Sequence, residues 1–183
     1  MRITTRTGRW LAASAVACCA TLLPGAALAA SAAPAAPARS AAHAIVPGCE
    51  TPGLVIWLDT NASAAAGSTY YHLEFTNLSG HRCTLNGFPF INAVSLTGSL
   101  LGHPATAFPV PAHQVTLDRG QTVKAALQIV DVGNFPAPVC KPVTAAGLRV
   151  FPPTQTRAKV VPFPFGACSA GGPVFLSVGP VTK

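Results

Sequence analysis

The chain has 183 residues, half of them apolar, with 9% charged and a formal net charge of +7. That is enough chain for one domain with a real core, and too apolar for a disordered polyelectrolyte. Its basic residues are scattered and not interleaved with stacking aromatics, so no nucleic-acid groove is expected.

Residues 1–29 read as an export signal. Arg2, Arg6 and Arg9 make a basic start, and Trp10 to Leu23 is apolar. Pro24-Gly25 breaks the helix, and Ala27-Leu28-Ala29 offers a small-x-small cleavage site. Cys18-Cys19 fits a lipidation site poorly, because Ala15 stands where Leu or Val is usual. The mature chain is therefore expected outside the cytoplasm, secreted or wall-associated, without a lipid anchor. Residues 30–44 are almost all Ala, Pro and Ser and have nothing large to bury, so they read as a disordered linker. The domain then spans 45–183. Three of the twelve Lys and Arg precede the cut, which leaves nine against five acids. No apolar run of about 18 residues follows the signal, so no transmembrane segment is expected in the mature chain.

Within the domain the period is that of strands. Leu54 to Leu58 is a continuous apolar run suited to a buried strand; of two readings for Trp57, core residue or carbohydrate-stacking plate, its neighbours Ile56 and Leu58 favour the core. Tyr71, Leu73 and Phe75 alternate with His72, Glu74 and Thr76, which reads as a half-buried strand with His72 on the wet face. Thr97 to His113 holds no Asp, Glu, Lys or Arg, yet carries Leu100, Leu101, Phe108 and Val110 with His103 and His113. Its two readings are a partner-contacting loop (Leu100, Leu101, His103, Phe108, His113) and an irregular edge strand folded onto the domain. Val115 and Leu117, a turn at Asp118-Arg119-Gly120, and the alternation Val123, Ala125, Leu127, Ile129 read as a hairpin over 114–130. Leu148 and Val150 flank Arg149, Val160 starts another strand, and Val174, Leu176 and Val178 close the chain. Helical periodicity is absent after the signal, and prolines punctuate every boundary. Seven to nine short strands predict an all-β, antiparallel, immunoglobulin-like β-sandwich.

Cys49, Cys83, Cys140 and Cys168 remain after the cut and allow three pairings. In an exported protein they read as disulfides. Cys49 precedes the first strand and Cys83 follows the second, so antiparallel pairing of those strands puts both at one end. The same reasoning joins Cys140 and Cys168. Two disulfides, Cys49–Cys83 and Cys140–Cys168, are favoured over the other pairings. Zinc is disfavoured, because no C-x-x-C spacing occurs.

The acids Glu50, Asp59, Glu74, Asp118 and Asp131 form no close pair of the glycosidase kind. There is no G-x-S-x-G elbow, no H-E-x-x-H helix and no phosphate-binding loop. No catalytic residue, cofactor or metal is expected.

Tyr70-Tyr-His-Leu-Glu-Phe-Thr-Asn77 followed by Cys83-Thr-Leu-Asn-Gly-Phe-Pro89 resembles the signature of the secreted bacterial domain of unknown function 4232. Leu117-Asp-Arg-Gly120, Cys140-Lys-Pro142, Leu148-Arg-Val-Phe-Pro-Pro153 and Cys168 resemble its later landmarks. The likeness runs from Gly48 to Val181, with Phe90 standing where the family often has a small residue. The resemblance implies a secreted or envelope-associated β-sandwich and assigns no activity. The leading reading is a non-catalytic module that binds an extracellular protein or a cell-wall component. The rival is an envelope-active hydrolase with a spatially assembled site. A deep polar cleft with two titratable groups would favour the enzyme, and an apolar patch the binder.

Overall fold

Side-chain alternation builds two layers around one core. The computed structural model describes residues 45–169 and 171–183. The export signal and the linker expected over residues 1–44 lie outside the described residues. Eleven strands follow one another: β1 (Leu54–Ala65), β2 (Ser68–Asn77), β3 (Cys83–Leu85), β4 (Phe90–Val94), β5 (Leu100–Leu101) and β6 (Thr106–Ala107). Next come β7 (Val115–Leu117), β8 (Thr122–Val130), β9 (Pro142–Phe151), β10 (Lys159–Cys168) and β11 (Leu176–Val178). The count exceeds the expected seven to nine because several are two or three residues long. Among the described residues one turn of α-helix, α1 (Ala137–Cys140), and two 3-10 turns, Thr51–Gly53 and Val132–Asn134, interrupt the β pattern.

One sheet has the order β1-β2-β8-β11-β6, the second β10-β9-β4-β5, and a small third pairs β3 with β7. Leu54, Ile56, Leu58, Leu73, Phe75, Val123, Ala125 and Leu127 point inward from the five-stranded sheet. Ile91, Ala93, Leu148, Val150 and Val161 meet them from the four-stranded sheet in the same core cluster. Each large side chain wholly withdrawn from water there contributes about 2 kcal/mol against its exposed state. The structure is all-β and antiparallel except for the parallel pair β6–β11.

Two expectations are corrected. Trp57 is not a core residue: burial alternates over Leu54–Leu58, so Val55 and Trp57 face out and are 41% and 43% exposed. The apolar run Leu54–Leu58 therefore has one buried face, not two. Residues 114–130 do not form a hairpin: β7 pairs with β3, while β8 pairs with β2 and β11. The chain changes sheet at the Asp118–Gln121 turn. The segment 97–113 follows its edge-strand reading, with β5 at the edge of the four-stranded sheet and β6 at the edge of the five-stranded one.

The sheet change at residue 118 has a cause in Asn77, which is wholly buried at the end of β2. Its Nδ2 donates to the carbonyls of His81 at 3.0 Å, Leu117 at 3.1 Å and Asp118 at 3.3 Å. Its Oδ1 accepts from Ser79 N at 3.0 Å and Ser79 Oγ at 2.6 Å. The main chain joins in, with Asn77 N donating to Gln121 O and Gly120 N to Asn77 O. One amide thus satisfies both turns, 78–81 and 118–121, and holds them against each other.

Both disulfides are present with the pairing that the strand ends predict: Cys49–Cys83 and Cys140–Cys168. The first ties the entry of the domain to β3, where Cys49 N also donates to Thr84 O. The chain's exit lies beside the same segment, because Val181 N donates to Gly87 O. Gly87 makes this possible with φ of +108°, a conformation that favours glycine, just before Pro89.

Candidate functional site

The outer face of the four-stranded sheet is where apolar side chains meet water. Strand register lines them up. Leu100, Val94, Gly147 and Pro162 form one row across β5-β4-β9-β10. Asn92, Arg149 and Val160 form the next, and Phe90 with Phe151 a third. Leu96, at the β4–β5 turn, is 94% exposed, Val160 61%, Phe90 51% and Leu100 45%. Gly147 has no side chain to place between Val94 and Pro162. A groove of about 540 Å³ results, lined by Val94, Ser95, Leu96, Gly98, Ala146, Arg149, Val160 and Pro162.

Arg149 is the one charged group in this lining. Its guanidinium lies over the Phe151 ring, 5.0 Å from the centroid, and Phe151 meets Phe90 edge to face at 5.7 Å. A cation over an aromatic face is held in direction as well as attracted. Among the described residues Arg149 has no carboxylate partner; the ion pair there is Arg82–Asp118, which is exposed on both sides. Ser95 is committed to the turn: its hydroxyl shares 2.9 Å with Thr97 and accepts from Ser99 N.

The residues singled out in 97–113 separate. Leu100 joins the apolar face, while Leu101 turns inward and is 8% exposed. His103 and His113 are exposed. Phe108 is half-buried on the other sheet, its ring close enough to Gly179 that a Cβ there would meet it at 3.5 Å. The five do not make one surface. The apolar face draws instead on Phe90, Leu96, Arg149 and Val160. The signals for it were the departure at Phe90 and the outward position of Arg149 between Leu148 and Val150.

The outer face of the five-stranded sheet is polar by contrast. Trp57, Glu74 and Lys124 stand side by side across β1-β2-β8, with Asp59 and His72 in the next row. Burial pushes the Glu74 carboxyl above its usual range; His72 and Lys124 pull it down, and Asp59 adds a smaller rise. The folded state therefore holds this proton more tightly than the unfolded chain, so this group's contribution falls as pH rises through the carboxylate range. Glu74→Gln is expected to leave the melting temperature unchanged below that range and to raise it slightly above. Calorimetric melting across pH checks this, and a variant less stable than the parent at neutral pH would contradict it.

A polar hollow of about 360 Å³ is lined by Glu50, Pro52, Gln155, Thr156 and Arg157, with one acid and one cation. Among the described residues no group of three His, Cys, Asp or Glu converges to hold a metal ion, and no helix is long and apolar enough to cross a membrane.

No curated protein and no solved structure matches this chain. The Cys-Thr-Leu segment of β3, the buried Asn77 and both disulfides fall inside residues 49–182, which match the family model described as a domain of unknown function, DUF4232. That match covers about three quarters of the chain, and the protein belongs to this family.

Proposed function

We propose that this protein is a secreted or envelope-associated binding module without catalytic activity, and that it takes its partner on the outer face of the four-stranded sheet. The observation that carries this is the apolar groove with Arg149 as its single charged group. An apolar patch of this kind costs free energy in water until something covers it. Hydrolysis would need a nucleophile beside a base, and the groove lining contains no carboxylate, imidazole or thiol. Export is supported by the basic-apolar-small pattern of residues 1–29 and by two disulfides, which persist in oxidising compartments. Leu100 is the part of the 97–113 segment that belongs to the contact face.

The test is hydrogen exchange on the protein mixed with the envelope fraction of its source cells, alongside a Leu100→Asp/Val160→Asp variant. Protection on β4, β9 and β10 that the variant loses is the expected result. Protection confined to other strands, or turnover of ester, amide or glycoside substrates, would overturn the proposal.

A further inference from the structure

The displaced tryptophan marks a second surface, on the opposite sheet and independent of the apolar groove. Trp57 is 43% exposed on a largely polar sheet face, with Val55 outward beside it on the same strand. Its inward neighbours Ile56 and Leu58 already fill the core beneath β1, so the indole adds nothing there. The ring is not free to swing. Its Nε1 donates to Thr76 Oγ1 at 3.4 Å, and Thr76 Oγ1 shares 2.9 Å with Thr122 Oγ1. Thr76 sits one row away on β2 and Thr122 beyond it on β8, so the indole leans across the sheet and leaves its apolar surface to solvent.

Around it stand polar groups with nothing assigned to hold. Glu74 is directly opposite Trp57 and Lys124 directly opposite Glu74, yet the two do not form an ion pair. Among the described residues the side chains of Glu74, His72 and Lys124 make no hydrogen bond, while Asp59 is occupied by Asn61. With strands about 4.8 Å apart, the row Trp57–Glu74–Lys124 extends about 10 Å. That is the length of a disaccharide.

We propose that this face is a carbohydrate platform: Trp57 stacks on the C–H face of one pyranose, and Glu74, Lys124 and His72 take hydroxyls of that ring and the next. The chemistry selects this ligand class over others. Acids and a cation alternate here, Asp59 and Glu74 beside Lys124, so the face offers no block of one charge to select an ionic partner. A carboxylate accepts, an ammonium donates and a neutral imidazole does both, which suits hydroxyls that also do both. A neutral glycan with one apolar face and a rim of hydroxyls matches an aromatic plate beside mixed acceptors and donors. An apolar peptide would strand Glu74 and Lys124 without partners.

The test is calorimetric titration of the full chain with neutral soluble oligosaccharides, cellohexaose and chitohexaose, repeated at raised salt. Saturable binding that salt does not weaken is expected for at least one. Trp57→Ala should lower the affinity roughly tenfold or more, the scale of one stacked ring, while Trp57→Tyr keeps most of it. Lys124→Met and Glu74→Gln should each weaken it without touching the core. The Leu100→Asp/Val160→Asp variant should bind these sugars as the parent does, which separates this proposal from the apolar-face reading. No saturable binding of either oligosaccharide, or equal affinity in a folded Trp57→Ala variant, would overturn it.

Discussion

Replacing Asn77 by Asp is expected to cost about 4 kcal/mol, a large share of the stability of a domain this size, although the two side chains have nearly the same shape. The amide Nδ2 donates to three carbonyl oxygens, those of His81, Leu117 and Asp118. An Asp carboxylate in the same place puts a negative oxygen against all three and takes a donor away from each. The bonds from Ser79 to Oδ1 survive, so the damage is confined to one half of the side chain. Asn77→Ala should cost somewhat less, because it removes these bonds but adds no repulsion, and His81 O keeps Ser79 Oγ and Asp118 O keeps Gln121 N. Urea unfolding of the parent and the two variants measures this order. If Asp and Asn were equally stable, the amide would not be what joins the two turns.

Removing the Cys140–Cys168 bond in a Cys140→Ala/Cys168→Ala variant is expected to cost about 3.5 kcal/mol, the loop-closure value for a separation of 28 residues. Both positions are fully buried, so Ala is chosen to avoid leaving hydroxyls in the core. The native ends keep other contacts: Ser169 N donates to Cys140 O at 3.0 Å, and β9 and β10 stay paired along their length. The variant should therefore fold to the same structure and unfold at lower urea. Its groove, lined from β9 and β10 by Ala146, Arg149, Val160 and Pro162, lies toward the other end of that hairpin. Partner binding measured well below the unfolding midpoint should be unchanged. A cost under about 1 kcal/mol would mean that the unfolded chain already holds this loop closed.

Much of the layer pattern was legible because a strand with one wet face writes its burial into its alternation. Leu73 and Phe75, Val123 to Ile129, and Leu148 with Val150 all sit inward as their spacing predicts. The disulfide pairing was legible for the same reason, since strand order puts the cysteines at common ends. Trp57 was misread because five apolar residues in succession look like burial on both faces. Nothing local says that the outer face of an edge strand carries an indole. The 114–130 reading failed for a different reason. A turn signal shows that the chain reverses, not which sheet receives the next strand, and here a buried amide forty residues upstream decides it. The apolar face showed in the sequence only as two separate hints, Phe90 and the outward Arg149. Phe90, Leu96, Arg149 and Val160 come from three strands and a turn, and only the register of β4, β9 and β10 brings them together.

The position of the domain's two ends also sets how it answers a mechanical load. Cys49 enters beside Thr84 and Val181 leaves beside Gly87, so tension applied between the termini converges on one short stretch of chain. On the entry side the load meets a covalent bond, Cys49–Cys83. On the exit side it meets only hydrogen bonds, a reciprocal pair between Thr182 and Lys124 and then one from Val181 to Gly87. The tail therefore peels like a zipper, and β11 follows with its partner β6 before the stapled half yields. A pull of this kind would strip one edge of the five-stranded sheet while the four-stranded sheet, with its groove, stays assembled.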